Sequence, residues 1–208
     1  MELLYDDKWL TACIKPAGLL SEEGGMPELL RAELRCPEIF CVHRLDKAAS
    51  GVMVYAKTKE AAARLSRLIA ARELQKEYLA VIQGRPDEPA GLLRDLLFKD
   101  AASGKSYVVR RMRRGVREAE LEYTLLENRG ELSLVSIRLL TGRSHQIRVQ
   151  FSSRGLPLVG DLRYGSRFRD AELALWSRRI AFTHPFTGKA FEASALPRSS
   201  WPWTEFEL

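Results

Sequence analysis

The chain has 208 residues, 46% of them hydrophobic and 29% charged, with a formal net charge of +6. That length can bury a full core in one domain, and the balance excludes a disordered, fibrous or membrane-spanning class. Three sparse cysteines, Cys13, Cys36 and Cys41, exclude a disulfide framework, and Glu2, Asp6 and Asp7 are foreign to a secretory leader, so a cytoplasmic protein is expected.

Of the 33 basic residues 24 are Arg and 9 are Lys. Arginine grips phosphate with two parallel hydrogen bonds and stacks on bases, which lysine cannot do. The composition therefore suits a nucleic-acid partner, although a solubilising excess of charge gives the same count.

In chain order, Leu3–Tyr5, Asp6–Lys8 and Trp9–Ile14 read as strand, turn and strand. Lys15-Pro16-Ala17-Gly18 has the pattern of a type I turn. Residues 21–37 read as a loop with a short helix over Pro27–Leu34, and Val52–Ala56 as a buried strand. Thr58 caps a helix running to about Arg72, with Leu65, Leu68 and Ile69 on one face. Lys76–Gln83 is a further strand, with Tyr78 pointing away from its neighbours, and Gly84–Gly91 a proline-rich loop.

Residues 99–117 are the least regular part. Ala119–Leu126 and Leu132–Leu139 alternate as strands, joined through Asn128-Arg129-Gly130 as a hairpin. Ser144–Ser153 reads as a short helix closed by Gly155, Leu156–Asp161 as a loop, and Ala181–His184 as the start of a last hairpin through Pro185–Gly188. Many strands and few helices, without an internal repeat or linker, predict an α+β fold around a mixed, mainly antiparallel sheet. A single domain over residues 1–208 is expected.

Two clusters carry chemistry. His43-Arg44-Leu45-Asp46 sets one carboxylate between Arg44 and Lys47, just before Ser50-Gly51 and an apolar strand. Such an Asp is ordinarily a surface ion pair, but opposite charge nearby favours its ionised form, which can act as nucleophile or general base. A second carboxylate, a Ser-His-Asp order, a P-loop and a dinucleotide fingerprint are all missing around it. Cys36, Cys41 and His43 lack a fourth ligand at zinc-like spacing, so no metal is expected.

The second cluster is Thr141-Gly142-Arg143-Ser144-His145-Gln146-Ile147-Arg148. An exposed basic helix is the plain reading. The functional one sets Arg143 before a helix N-terminus, where a phosphate binds, and turns Arg148 inward to a buried acid. Tyr78 is either a core aromatic or a stacking partner for a base. Arg110–Arg117, with Arg111 and Arg114, is either a solvated loop or a basic arm on an RNA backbone.

Together these segments closely resemble the RluA-type pseudouridine synthases, which isomerise uridine in structured RNA. The resemblance rests on His43-Arg44-Leu45-Asp46 with Ser50-Gly51, on Lys76-Glu77-Tyr78-Leu79 and on Thr141–Val149. Val159-Gly160-Asp161 with Tyr164-Gly165, His184-Pro185 with Thr187-Gly188, and Ile14–Leu19 complete it, in the family's order.

The resemblance implies a long mixed sheet with flanking helices and a cleft across its middle. It implies that Asp46 is the catalytic aspartate, that Tyr78 stacks on the target base, and that Arg148 pairs with the catalytic carboxylate. Arg44 would fill the space left by the flipped nucleotide. His43, Lys76, Arg143, His145 and Gln146, with Arg111 and Arg114, are the expected RNA contacts. Larger relatives carry an extra N-terminal RNA-binding domain; this chain starts at the catalytic opening, so the catalytic domain itself is expected to recognise RNA.

Nothing is oxidised and no group is imported in this isomerisation, so no cofactor is expected. The expected partner is RNA, ribosomal sooner than transfer RNA, with the protein a monomer. Attack on the anomeric carbon, addition to the uracil ring and assisted glycal formation all stay open for Asp46. A non-catalytic RNA-binding module and a nucleoside hydrolase are the rival readings. The chain departs from the family at Lys47-Ala48-Ala49, where a hydroxyl is lost, and at Gln150-Phe151, where many members have His and an aliphatic residue.

Overall fold

The computed structural model describes residues 2–208. In chain order its elements are β1 (Leu3–Asp6), β2 (Leu10–Lys15), α1 (Met26–Leu34), β3 (Phe40–Cys41), β4 (Ser50–Ala56), α2 (Lys59–Ala70) and β5 (Gln75–Gln83). They continue with β6 (Ala90–Lys99), β7 (Ser106–Val109), β8 (Val116–Arg129), β9 (Leu132–Leu139), α3 (Gln146–Ser152), β10 (Leu175–Thr183) and β11 (Ala190–Ser194). This is the expected α+β class: a long, mixed, mainly antiparallel sheet with three helices. The chain divides into two compact units, one running to Glu77 and resuming over Trp176–Pro197, the other comprising Tyr78–Leu175 and Arg198–Leu208.

The first unit is ordered β1-β2-β4-β10, with β3 beside β4 and β11 beside β10. Strand β4 pairs antiparallel with β2 and parallel with β10. Every residue of β2 is buried, as is all of β4 after Ser50, so both strands are central and covered on both faces. Gly51 is required here. It sits at φ +119°, and an added Cβ would lie 2.4 Å from the backbone oxygen of Ser177 on β10. Thr58 caps α2 by accepting the Ala61 N–H at 3.1 Å, as expected, and the helix buries Ala61 and Leu65.

The second unit is ordered β5-β9-β8-β6-β7. The expected hairpin is present, but Arg129 faces Leu132, so its turn is Gly130-Glu131 and not Asn128-Arg129-Gly130. Strand β6 covers residues 92–98, for which no element was expected, and β7 lies within the stretch expected to be irregular. Helix α3 begins two residues later than expected and buries six of its seven residues, Gln146–Phe151. Val149 joins Leu97, Ala119 and Tyr164 in one core cluster. Among the described residues no helix is long and apolar enough to cross a membrane.

Candidate active site

Asp46 is half-buried at the head of a tight turn in which the Ala49 N–H donates to the Asp46 carbonyl at 3.0 Å. The turn is fastened from outside by Lys15. That side chain is fully buried, and its Nζ donates to the carbonyls of Pro16 (2.9 Å), Leu19 (2.9 Å) and Lys47 (3.2 Å). The Gly18 N–H donates to the Lys47 carbonyl as well, at 2.8 Å, in place of closing its own turn. Burial pulls Lys15 down to about 8, against the opposing pull of the Asp46 charge. Lys15, which sequence reasoning passed over, is thus a buried cation whose charge is coupled to that of Asp46.

Arg44, expected beside Asp46, instead pairs with Glu22 at 3.1 Å, both side chains being exposed. Such a pair adds little stability and exchanges easily for a phosphate. Within the departure at Lys47-Ala48-Ala49 the third residue, Ala49, is buried. The turn is held through the Lys47 carbonyl, which any residue supplies, while the Lys47 and Ala48 side chains are exposed.

His43 is not placed as an RNA contact. It is buried, and its Nε2 accepts the Val54 N–H at 3.1 Å, one residue along β4 from the last rung shared with β3. Burial, reinforced by the charge of Lys76, pushes His43 down to about 3, so the ring is neutral with its proton on Nδ1. Its neighbour Lys76 is half-buried, and burial lowers it too. Cys36 and Cys41 spend their thiols on backbone carbonyls, those of Glu38 and His43.

In the second unit Tyr78 opens the buried stretch of β5 and is 5% exposed. From it to Gln83 every residue is buried, so the expected alternation along the strand does not show in burial.

The turn from β9 into α3 explains much of the second motif. The Thr141 hydroxyl accepts the Glu120 N–H at 2.9 Å and donates to Gln146 Oε1 at 2.8 Å. Gln146 Oε1 also accepts the Arg143 N–H at 3.0 Å, and its Nε2 donates to the Glu120 carbonyl at 3.0 Å. Gln146 is therefore buried and committed to the turn, a correction to its expected RNA role. Arg143 is exposed, with Nε donating to the Glu118 carbonyl at 2.8 Å. His145 adopts a left-handed backbone, φ 54°, and sets Nδ1 2.8 Å from the Tyr164 hydroxyl.

Arg148 is buried, as the inward reading requires, and Asp161 grips it. Its Nε donates to one carboxylate oxygen at 2.7 Å and its Nη2 to the other at 2.8 Å. The Tyr164 ring lies 5.1 Å from the guanidinium carbon. Asp161 and Tyr164 were noticed in the sequence only as motif letters. Gln150, one of the departures, is buried and donates to Asp95 at 2.7 Å, joining α3 to β6. Arg110, Arg111, Arg113 and Arg114 are all exposed between β7 and β8, with Arg113 lying over Phe98.

Comparison with known proteins decides the family. Residues 10–153 match the family model described as RNA pseudouridylate synthase. The dual-specificity RNA pseudouridine synthase RluA of Escherichia coli is 34% identical over 93% of this chain and 91% of its own length. The chain is an RNA pseudouridine synthase of the RluA family. The synthase is also 32% identical, over 93% of its length, to the ribosomal large subunit pseudouridine synthase C of Salmonella typhimurium, 65% of which it covers. Among solved structures, the human RNA pseudouridylate synthase domain containing 4 superposes with a TM-score of 0.80 at 25% identity, over 95% of this chain and 89% of that one.

Proposed function

We propose that this isomerase converts one specific uridine of large-subunit ribosomal RNA to pseudouridine, with Asp46 as its nucleophile or general base. The observation that carries the role of Asp46 is its turn. A half-buried carboxylate is fastened through backbone carbonyls to a fully buried ammonium group, an investment that a surface ion pair does not need. The reaction breaks the bond from uracil N1 to ribose C1′ and forms one from C5 to C1′. The proton on C5 leaves to water and N1 gains one, so the RNA keeps its mass. Asp46 serves either by bonding to a carbon of the nucleotide or by moving a proton during glycal formation.

On this reading the target leaves its stack, at about a few kcal/mol, and Tyr78 meets the extruded base. With little of its surface exposed, Tyr78 suits contact with one flipped base and not a platform for several. Arg148 is the guanidinium of the reaction, and Arg44 takes the vacated position in the RNA. Lys76, Arg143 and His145, with the arm carrying Arg111 and Arg114, bind the surrounding backbone. The 208 residues work as one catalytic domain, as a monomer in the cytoplasm.

The ribosomal assignment draws on the relative named for the large ribosomal subunit. A second reading, two classes of target, draws on the relative named as dual-specificity. Mapping pseudouridine in ribosomal and transfer RNA from cells with and without the protein separates them. Loss of a ribosomal site alone is expected. Loss in both classes selects the second reading, and loss in transfer RNA alone contradicts the first.

A further inference from the structure

Arg148 has a partner that the reaction does not consume. Gly160, at φ +75°, admits a backbone approach that an added Cβ would block, lying 2.0 Å from the Glu172 carbonyl oxygen. This turn delivers Asp161, 2% exposed, to the guanidinium of Arg148. Two parallel hydrogen bonds fix both the plane of a guanidinium and its rotation within that plane. The Tyr164 ring, 5.1 Å from the guanidinium carbon, adds an aromatic contact.

Tyr164 is itself held. Its hydroxyl accepts the Ser106 N–H at 2.8 Å and meets His145 Nδ1 at 2.8 Å, and its carbonyl accepts the Ser152 hydroxyl at 2.6 Å. Thus β7 and the residue before α3 converge on its hydroxyl, and the last residue of α3 holds its backbone. Burial raises the hydroxyl above its ordinary range, so it stays protonated at neutral pH.

We propose that Asp161 and Tyr164 are positioning residues of the isomerisation, which hold Arg148 by its Nε–Nη2 edge and so fix the orientation in which it takes part in the reaction. The inference rests on the reading of Arg148 as a catalytic group. Its physical core is charge balance. A buried guanidinium whose counter-ion were the catalytic carboxylate alone would be orphaned whenever that carboxylate bonded to carbon or took up a proton. Asp161 is a permanent counter-ion, so Arg148 stays ordered through every stage of turnover.

The test compares full-length wild-type protein with Asp161→Asn, Tyr164→Phe and Arg148→Lys. The probe is RNA labelled with [5-³H]uridine, purified from cells lacking this protein. Three quantities are read: single-turnover tritium release, RNA retention on filters, and the nitrogen-15 resonance of the Arg148 Nε–H. Asp161→Asn is expected to slow release by about 100-fold, the effect of a misplaced group at a reacting centre, with RNA retention unchanged and the Nε–H signal shifted. Tyr164→Phe keeps the ring and loses the hydroxyl bonds, and is expected to slow release about tenfold, with the Nε–H signal kept.

Wild-type release by Asp161→Asn beside slow release by Arg148→Lys would overturn the inference and leave the role of Arg148 standing. Wild-type release by both would remove that role and the inference with it. If Asp161→Asn does not fold, Tyr164→Phe decides, and wild-type release by that variant overturns the proposal.

Discussion

The two units hold their charged residues by opposite means. The first fastens the Asp46 turn through peptide carbonyls, gathered on the ammonium of Lys15. The second fastens Arg148 through the side chains of Asp161 and Tyr164. A carbonyl is the same whichever residue bears it, so the exposed Lys47 position in the loop after Asp46 is free to vary. A carboxylate is not, so the Gly160-Asp161 turn has little freedom. Tolerance to substitution therefore differs between the two motifs, although both carry a charge proposed to work in the same reaction.

Removing Arg148 gives the sharpest contrast. Arg148→Ala leaves the buried Asp161 carboxylate uncompensated and is expected to cost about 3–5 kcal/mol in chemical denaturation. Adding Asp161→Ala should recover part of that loss. No recovery would mean that the pair is not the unit's electrostatic anchor.

The corresponding cut in the first unit is Lys15→Met, which matches the volume and strips three part-buried carbonyls of the ammonium donor. About 3 kcal/mol is expected, whereas Lys47→Ala, a side-chain change in the same turn, should stay within about 0.5 kcal/mol. Equal effects would break the distinction between backbone and side-chain fastening.

A smaller effect, in pH dependence, is expected at His43. Its folded-state value near 3 lies below the ordinary 6.5, so the unfolded chain takes up a proton first as pH falls. The stability it contributes is complete above about pH 6.5 and is lost progressively towards pH 3, at up to ~1.4 kcal/mol per pH unit. His43→Gln retains an acceptor for the Val54 N–H and should flatten that slope in melting temperatures taken across the window. An unchanged slope would mean that His43 is not the titrating group.

Tyr78→Phe should alter least, keeping RNA retention and slowing tritium release about tenfold if the hydroxyl hydrogen-bonds in the site. Wild-type behaviour would confine Tyr78 to packing.

The fold was legible where pattern and punctuation agreed: β1 and β2 around Asp6–Lys8, α2 behind Thr58, and the alternating pair β8 and β9. Strand β6 escaped because its apolar residues come as Leu92-Leu93 and Leu96-Leu97-Phe98, with Leu92 exposed, so no clean alternation marks it. The first half of β10 hid behind Ser177-Arg178-Arg179, where Ser177 is buried by its bond to the Val52 carbonyl.

At the site, Asp46 and Arg148 stood out through their motifs, and the inward turn of Arg148 was anticipated. The residues that hold them were not. Lys15 and Asp161 are charged side chains in turns, which ordinarily mean exposure. Only the chain's return to Lys47 and to Arg148 reveals that each is buried with partners. Gln146 and His43 erred in the other direction: polar residues beside a site looked available to RNA, while the backbone had already claimed them.

The measurement that bears most directly on the account is tritium release from uridine-labelled RNA by Asp46→Asn at wild-type protein levels. A folded variant that retains RNA like the wild type and releases no tritium above background is the expected result, a loss of at least about 10³-fold. Release at the wild-type rate would contradict the assignment of Asp46 as the group that carries the isomerisation.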